Sequence, residues 1–157
     1  MNLAHDEHEK AQYHQERALG LNPNNDLILV QQGELLTWLG RPEDGIEWIR
    51  KAMRLNPYHP QRFWNHLGRA HYTARQYSEA VGALSRIARP ECTHHALLAA
   101  SLAQLGDNTA AGAHAQEVLK MDPGFSIQRF LSTVHYQLDS DRDHLREGLV
   151  KAGLPES

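Results

Sequence analysis

Histidine is the residue type most suited to catalysis or metal binding in this sequence, which contains 11 histidines among 157 residues. Imidazole is a common zinc ligand, so the spacing of the histidines decides whether a metal site is expected. His5 and His8 share one face of a predicted helix, whereas the adjacent His94 and His95 point to different sides. A zinc site needs three or four converging ligands, and neither HExxH nor CxxC spacing is present. We therefore expect no metal.

Catalytic patterns are also missing from the sequence. We find no nucleophile–base pair and no glycine-rich loop that could hold a phosphate. Trp38, Trp48 and Trp64 are expected to pack between helices rather than to stack on a ligand. The sequence thus predicts a protein that is not an enzyme and that needs no cofactor.

Composition places the chain in a broad class. A content of 41% hydrophobic and 22% charged residues is ordinary for a helical globular protein. The single cysteine, Cys92, excludes an intrachain disulfide and favours a reducing compartment, which we expect to be the cytoplasm. No stretch is apolar and long enough to cross a membrane, so no membrane partner is expected.

The charges point to recognition rather than to catalysis. Residues 1–49 hold three basic and nine acidic side chains, residues 50–89 hold eight and one, and residues 90–157 hold five and nine. The members of the central basic band are Arg50, Lys51, Arg54, Arg62, Arg69, Arg75, Arg86 and Arg89. Such a band favours an acidic protein or peptide partner, although it can equally be solvated or paired with acids of the preceding segment. Nucleic acid is disfavoured because the net charge is −3 and no nucleic-acid module is recognisable.

A repeated phrase indicates the elements that must position these residues. Pro23, Pro57, Pro90 and Pro123 each follow an apolar stretch and lie 34, 33 and 33 residues apart. A fixed period of this size is typical of helical repeat arrays, in which each unit buries its apolar face by stacking on its neighbours. A second break lies midway between the prolines, at residues 39–44, 74–79 and 105–108. Each unit is therefore predicted to be a pair of antiparallel helices.

The spacing and the residue types together resemble the tetratricopeptide repeat (TPR) over residues 5–123. The third unit has the best match, with Trp64, Leu67, Gly68, Tyr72, Tyr77 and Ala80. The second unit matches at Gly33, Leu36, Gly45, Ile49 and Ala52, and the fourth at Leu98, Ala99, Leu102, Gly106, Ala111, Ala115 and Val118. The resemblance implies an all-α, right-handed superhelix that acts as a protein-interaction scaffold.

The period divides the chain into parts of a single domain. Residues 1–22 form a half repeat with only its second helix, residues 24–57, 58–90 and 91–123 form repeats, and residues 124–157 form a capping hairpin. Ser140 and Asp143 resemble a capping box at the start of the last helix. Since the first unit lacks a helix, we infer that the chain is cut from a longer protein or begins with a capping helix. The third unit is shortened near residues 89–92, which should alter the local stacking.

In TPR arrays the first helix of each pair lines the concave surface, and this defines the expected binding site. The residues predicted to line the groove are Val30, Glu34, Trp38, Arg62, Asn65, Arg69, Tyr72, Ala96, Ala100 and Gln104. Asn65 and Arg69 resemble part of the clamp with which some relatives hold a terminal carboxylate, but the full clamp is not predicted.

The end of the chain has a narrower resemblance. Residues 141–156, together with the phrases at 52–60 and 67–70, resemble the C-terminal repeat region of bacterial adenylate/guanylate cyclase-like proteins. The resemblance implies the non-catalytic interaction region of a larger bacterial signalling protein, whose partner is a peptide or another domain of that protein. The first alternative is a homodimer through the unpaired N-terminal helix, and the second is a small-ligand sensor or an enzyme.

Overall fold

A computed structural model describes the backbone of residues 3–157 and the side chains of residues 6–157. The His5 side chain, considered above, lies outside the described residues. Within the described range the chain forms nine α-helices and no β-strand. The helices are α1 (Leu3–Leu21), α2 (Asp26–Trp38), α3 (Pro42–Leu55), α4 (Arg62–Thr73), α5 (Tyr77–Leu84), α6 (Cys92–Gln104), α7 (Asn108–Met121), α8 (Ile127–Leu131) and α9 (Asp139–Lys151).

Local chemistry sets where the first complete hairpin begins and turns. The Asn25 side chain accepts hydrogen bonds from the main-chain N–H groups of Leu27 and Ile28, which would otherwise lack partners at the start of α2. Gly40 ends this helix with a φ of 87°, a left-handed conformation that glycine adopts at little cost. Pro42 then begins α3, where its missing N–H would have been unpaired in any case. Sequence signals of short range therefore fix this turn.

The hairpins stack so that their first helices form the inner surface. The helix pairs are α2 with α3, α4 with α5, and α6 with α7. The first helices also touch one another, α2 on α4 and α4 on α6, whereas in the described part of the chain the second helices do not meet. Helices that approach closely lie on the inside of a curve, and those that separate lie on the outside. The concave face consequently consists of α2, α4 and α6.

Among the side chains that the structure describes, the apolar core forms two clusters that run through the array. One cluster contains Leu29, Ile49 and Phe63, and the other extends from Tyr72 to Leu149 in the last helix. Trp64 packs against both, as expected for a tryptophan between hairpins. These contacts confirm the prediction of an all-α fold built from antiparallel helix pairs. Among the described residues, no helix combines the length and apolarity needed to cross a membrane.

The end of the chain differs from the predicted hairpin. The predicted capping box at Ser140 and Asp143 is wrong, because the helix begins at Asp139 with Leu138 as its N-cap and no side-chain cap. Helix α8 has only five residues, and residues 132–138 follow it without helical structure. Helix α9 then packs on α6 and touches α4, both on the inner surface. The last helix thus folds back into the concave face.

Candidate functional site: the concave groove

The inner stripe of α4 forms the centre of the groove. Arg62, Asn65, Arg69 and Thr73 follow at helical spacing along one face of this helix. The Arg69 guanidinium lies 4.8 Å from the centre of the Trp38 ring on α2. A cation stacked in this way is attracted by the negative face of the indole. The stripe therefore faces inward and bridges neighbouring hairpins.

The predicted groove residues differ widely in exposure. Those that are buried are Val30, Trp38, Tyr72, Ala96 and Ala100. Those that are half-buried are Glu34, Asn65, Arg69 and Gln104, and the exposed one is Arg62. The structure brings Trp38 and Arg69 together, and it brings Tyr72 to Gln104 through a 3.3 Å hydrogen bond. It places Ala96 and Ala100 within the core, where they offer little surface.

Residues 132–138, here called the strap, cover the groove at the end of α2. The Gln137 N–H donates a 2.8 Å hydrogen bond to the Trp38 carbonyl. The ring of Tyr136 lies 4.9 Å from that of Trp38 in an edge-to-face arrangement, and its hydroxyl is 3.0 Å from that of Thr73. His8 on α1 donates through Nε2 to the His135 carbonyl at 2.6 Å. The strap therefore joins both ends of the array.

Helix α9 covers the next part of the groove, above α4 and α6. Gly148 permits this approach, because a Cβ there would overlap the Tyr72 hydroxyl and would lie 3.0 Å from the Ala100 Cβ. The Tyr72 hydroxyl donates to the His144 carbonyl at 2.8 Å, and the Tyr77 hydroxyl lies 2.7 Å from His144 Nε2. Burial raises the pKa of Tyr72, so its hydroxyl remains a donor at neutral pH. Polar and apolar contacts together dock this helix.

An unusual residue connects the end of α4 to the last helix. Arg75 has a φ of 63°, whereas Gly40 and Gly106 occupy the corresponding turns with φ of 87° and 85°. Its guanidinium lies 3.1 Å from a carboxylate oxygen of Asp141, whose side chain is 6% exposed. The left-handed conformation is unfavourable for residues with a Cβ atom. The backbone of Arg75 is therefore strained at the position from which its side chain pairs with Asp141.

The groove remains open at the N-terminal end of α4. Arg62 lies at the surface there, and His66 Nδ1 is 3.8 Å from Glu34 Oε2. Burial lowers the pKa of His66, the Glu34 carboxylate opposes this effect, and the nearby arginines reinforce it. Asn65 Oδ1 and Arg69 Nε have no hydrogen-bond partner among the described residues. Both atoms are buried, so the groups that this end of the groove presents to a polar ligand are the exposed Arg62 and the half-buried Glu34.

The histidines form no metal centre in the part of the chain that the structure describes, where no three potential ligands converge. His94 accepts the main-chain N–H of Glu91 through Nδ1, which helps to begin α6. His95 and His114 face each other with 3.0 Å between their Nδ1 atoms. One ring must then donate to the other, so at least one of the pair is neutral in this arrangement.

The basic band is divided among several surfaces. Arg62 and Arg69 belong to the groove, Arg75 pairs with Asp141, and Arg50 and Arg54 lie on α3 away from the concave face. Among the described residues Arg75 is the one member of the band in an ion pair with an acidic side chain. No arginine or lysine of the band pairs with an acid of the preceding hairpin among the described residues, whereas His66 within the band lies 3.8 Å from Glu34. Solvation of the remaining cations stays a prediction.

Sequence reasoning missed the residues that cover the groove. Tyr136, His144 and Gly148 were not predicted to lie near the first helices. The available signal was Gly148 itself, since a glycine inside an amphipathic helix often marks a close contact. Nothing local identified which surface Gly148 approaches.

Comparison with known proteins supports the fold. No family model and no curated protein sequence matches the chain. A crystal structure of MamA is similar with a TM-score of 0.66 and 22% identity, covering 97% of this chain and 93% of that one. A second MamA structure also has a TM-score of 0.66 and 22% identity, with coverages of 94% and 81%. YrrB, described as a TPR protein with an unusual peptide-binding site, has a TM-score of 0.63 and 21% identity, with coverages of 94% and 77%.

These similarities agree with the stacked helix pairs and the inner surface described above. They confirm the predicted fold class, and at this identity they bear on the fold alone. The chain has the architecture of a TPR-like helical superhelix.

Proposed function

We propose that this chain is a non-catalytic protein-interaction scaffold that binds a peptide segment of a partner in the open end of its concave groove. The observation that carries the proposal is the strap, a non-helical segment already accommodated on this surface. The groove holds it through a main-chain hydrogen bond to Trp38 and aromatic packing by Tyr136. A partner segment can use the same two kinds of contact.

The open end offers suitable groups for such a segment. Arg62 is exposed, and Glu34 and Asn65 are half-buried. An extended peptide carries main-chain N–H and C=O groups that pair with side chains of this type. The positive charges at Arg62 and Arg69 favour a segment with acidic residues, although apolar contacts are expected to supply most of the affinity.

A peptide selection tests the proposal. Short peptides are selected from a displayed random library on the full chain, and their affinities are measured by fluorescence anisotropy. Arg62→Glu is expected to weaken binding about tenfold, because it places a like charge beside the bound segment. The matched control is Arg17→Glu, which reverses an exposed charge on α1, away from the groove.

The affinities of the two variants show whether the peptides bind in the groove. Equal affinities of the wild-type chain and Arg62→Glu would contradict the groove proposal. Equal losses in Arg62→Glu and Arg17→Glu would also contradict it, because they would reveal a general effect of charge.

The larger context is a further part of the proposal and depends on the sequence alone. We place the chain in the cytoplasm, on the single cysteine, as the interaction region of a bacterial signalling protein related to cyclase-like proteins. Calorimetry of this chain with the remainder of its parent tests this point. Binding that is lost in the double variant Arg62→Glu/Arg69→Glu would support an intramolecular contact. Absence of binding to the wild-type chain would contradict such a contact.

Self-association through α1 is the second candidate. Among the described elements α1 packs on α2, and it leaves Tyr13 56% exposed and Leu21 76% exposed. Apolar side chains on an unpartnered helix face can join two copies. A mass that rises with concentration, and that Tyr13→Glu returns to the monomer value, would support this candidate.

A further inference from the structure

We propose that a cleft on the outer surface, between α3 and α4, is a second docking site and that it binds an acidic peptide segment carrying an apolar side chain. The cleft has a volume of about 370 Å³, and its lining residues are Arg50, Met53, Arg54, Trp64 and Leu67. We call it the outer cleft. Since α3 is a second helix, this surface is separate from the concave groove.

The floor of the outer cleft is apolar. Leu67 is buried at its base, whereas Met53 and Trp64 are half-buried and present part of their surface. Trp64 is wedged between the two core clusters, so the floor is held firmly in place. A leucine or phenylalanine side chain placed there would remove apolar surface from water on both molecules. The cleft therefore needs an apolar anchor from its partner.

The rim of the outer cleft is cationic and lacks carboxylate partners. Arg50 and Arg54 form no ion pair with any described residue, and Lys51 lies beside them. The guanidinium of Arg86 lies 5.1 Å from the centre of the Trp64 ring. By contrast, the carboxylate-paired cations elsewhere among the described residues are Arg41, Arg75, Lys120, Arg129, Arg146 and Lys151.

A neighbouring depression extends the cationic rim. It has a volume of about 320 Å³ and is lined by Glu47, Trp48, Lys51 and Arg54. The Lys51 ammonium lies 5.5 Å from the centre of the Trp48 ring. Arg54 belongs to both depressions, so a segment of several residues can follow the rim from one to the other. This continuity favours a peptide over a single small molecule.

Charge also limits the kind of anion that fits. The Glu47 carboxylate stands in the second depression, and the flanking parts of the chain are net acidic. A long polyanion would meet these negative charges, whereas a short peptide can place its carboxylates opposite the cations alone. The combination of an apolar floor and a short cationic rim thus selects an acidic peptide with an apolar anchor.

The test uses the full chain and a defined probe. The probe is a fluorescein-labelled peptide of alternating Asp and Glu with a central Leu-Phe pair, and the control peptide has Ser-Gly at the centre. We expect the Leu-Phe peptide to bind more tightly, and its affinity to fall with salt. Arg54→Glu should weaken it about tenfold, and Met53→Gln should reduce its advantage over the control peptide. Circular dichroism checks that each variant folds.

Controls separate this site from the groove. Arg17→Glu should leave the affinity of the Leu-Phe peptide unchanged. Arg54→Glu should cause the same loss in the wild-type chain and in an Arg62→Glu background, so failure of the groove proposal does not decide this one. Equal binding of the two peptides, or an equal loss in Arg17→Glu, would overturn the proposal. Tighter binding of a single-stranded oligonucleotide of equal charge would assign the cleft to nucleic acid instead. A concentration-dependent mass that Arg54→Glu abolishes would assign it to a second copy of the chain.

Discussion

The main-chain N–H of Gln137 donates a 2.8 Å hydrogen bond to the carbonyl of Trp38, in the last turn of α2. Within a helix that carbonyl would bond to the residue four positions later, but this residue is Pro42, which has no N–H. The strap thus supplies a donor that the local sequence withholds. Residues near the C-terminus are therefore part of the first complete hairpin, although they lie at the other end of the chain.

Tyr136→Ala is expected to release the strap. The ring of Tyr136 packs edge-to-face on Trp38, and its side chain is buried. Removing a buried aromatic side chain leaves a cavity, so we expect the free energy of unfolding to fall by about 3 kcal/mol. Hydrogen exchange measures the local effect, and the Gln137 amide should lose its protection.

Tyr136→Phe is the matched control for that change. It keeps the ring and removes the hydroxyl that lies 3.0 Å from the Thr73 hydroxyl. The expected loss is about 1 kcal/mol, with the Gln137 amide still protected. Equal protection in the alanine and phenylalanine variants would mean that the aromatic contact does not hold the strap.

Gly148→Ala should displace α9. A methyl group at this position would overlap the Tyr72 hydroxyl, and that residue is buried and cannot move away freely. We expect a loss of about 1–3 kcal/mol, as is typical of overpacking. Gly112→Ala on α7 is the control, since nothing lies within 4 Å of its added Cβ. This change should stabilise the chain by about 0.5–1 kcal/mol, and urea unfolding of both variants checks the opposite signs.

The repeat architecture could be predicted because its signals are local. Proline, glycine and asparagine act within a few residues, so Pro42, Gly40 and Asn25 mark the helix ends directly in the sequence. Their recurrence at a fixed period then identified the stacked pairs. Helix identity and pairing followed without any knowledge of distant contacts.

The strap and α9, which cover the groove, could not be predicted because their contacts are not local in the sequence. The strap has no helical period, and its partners Trp38 and Thr73 lie far away in sequence. Gly148 is compatible with many close contacts, and only the folded chain selects Tyr72. Contacts between single residues that are distant in sequence produce no periodic pattern from which they could be predicted. The groove predicted from the sequence consequently included no residue of the strap or of α9.

Arg75→Gly compares two effects on the free energy of unfolding: the relief of the strained backbone and the loss of the ion pair with Asp141. Glycine would relieve a left-handed conformation that costs a side chain about 1 kcal/mol. It would also leave the buried Asp141 carboxylate without its cation, a loss of roughly 1–3 kcal/mol or more. We therefore expect net destabilisation, measured by urea unfolding.

A second background separates the two effects. With Asp141→Asn already present, no carboxylate remains to be left without a cation, so Arg75→Gly should become neutral or stabilising. If Arg75→Gly costs the same in both backgrounds, the contact with Asp141 contributes nothing to stability.

His144 should make the docking of α9 sensitive to acid. Burial lowers the pKa of His144 to about 4, with help from the positive charges of Arg75 and Lys151 and against the Glu147 carboxylate. The unfolded chain, with a histidine pKa near its ordinary value of about 6.5, binds the proton first as pH falls. Stability from this group is therefore complete above about pH 6.5 and is lost progressively as the pH falls toward 4.

His144→Phe is the variant that checks this pH dependence. Phenylalanine can keep the stacked position on Tyr72, whose ring centre lies 4.5 Å from that of His144, but it cannot bind a proton. Between pH 7 and pH 5 the wild-type chain should lose roughly 1–2 kcal/mol more stability than the variant, as measured by urea unfolding. His66, His71, His94 and His114, whose pKa values are also lowered by burial, contribute to both proteins and cancel in the comparison. An equal loss of stability in both proteins between pH 7 and pH 5 would show that His144 is not the acid-sensitive contact of α9.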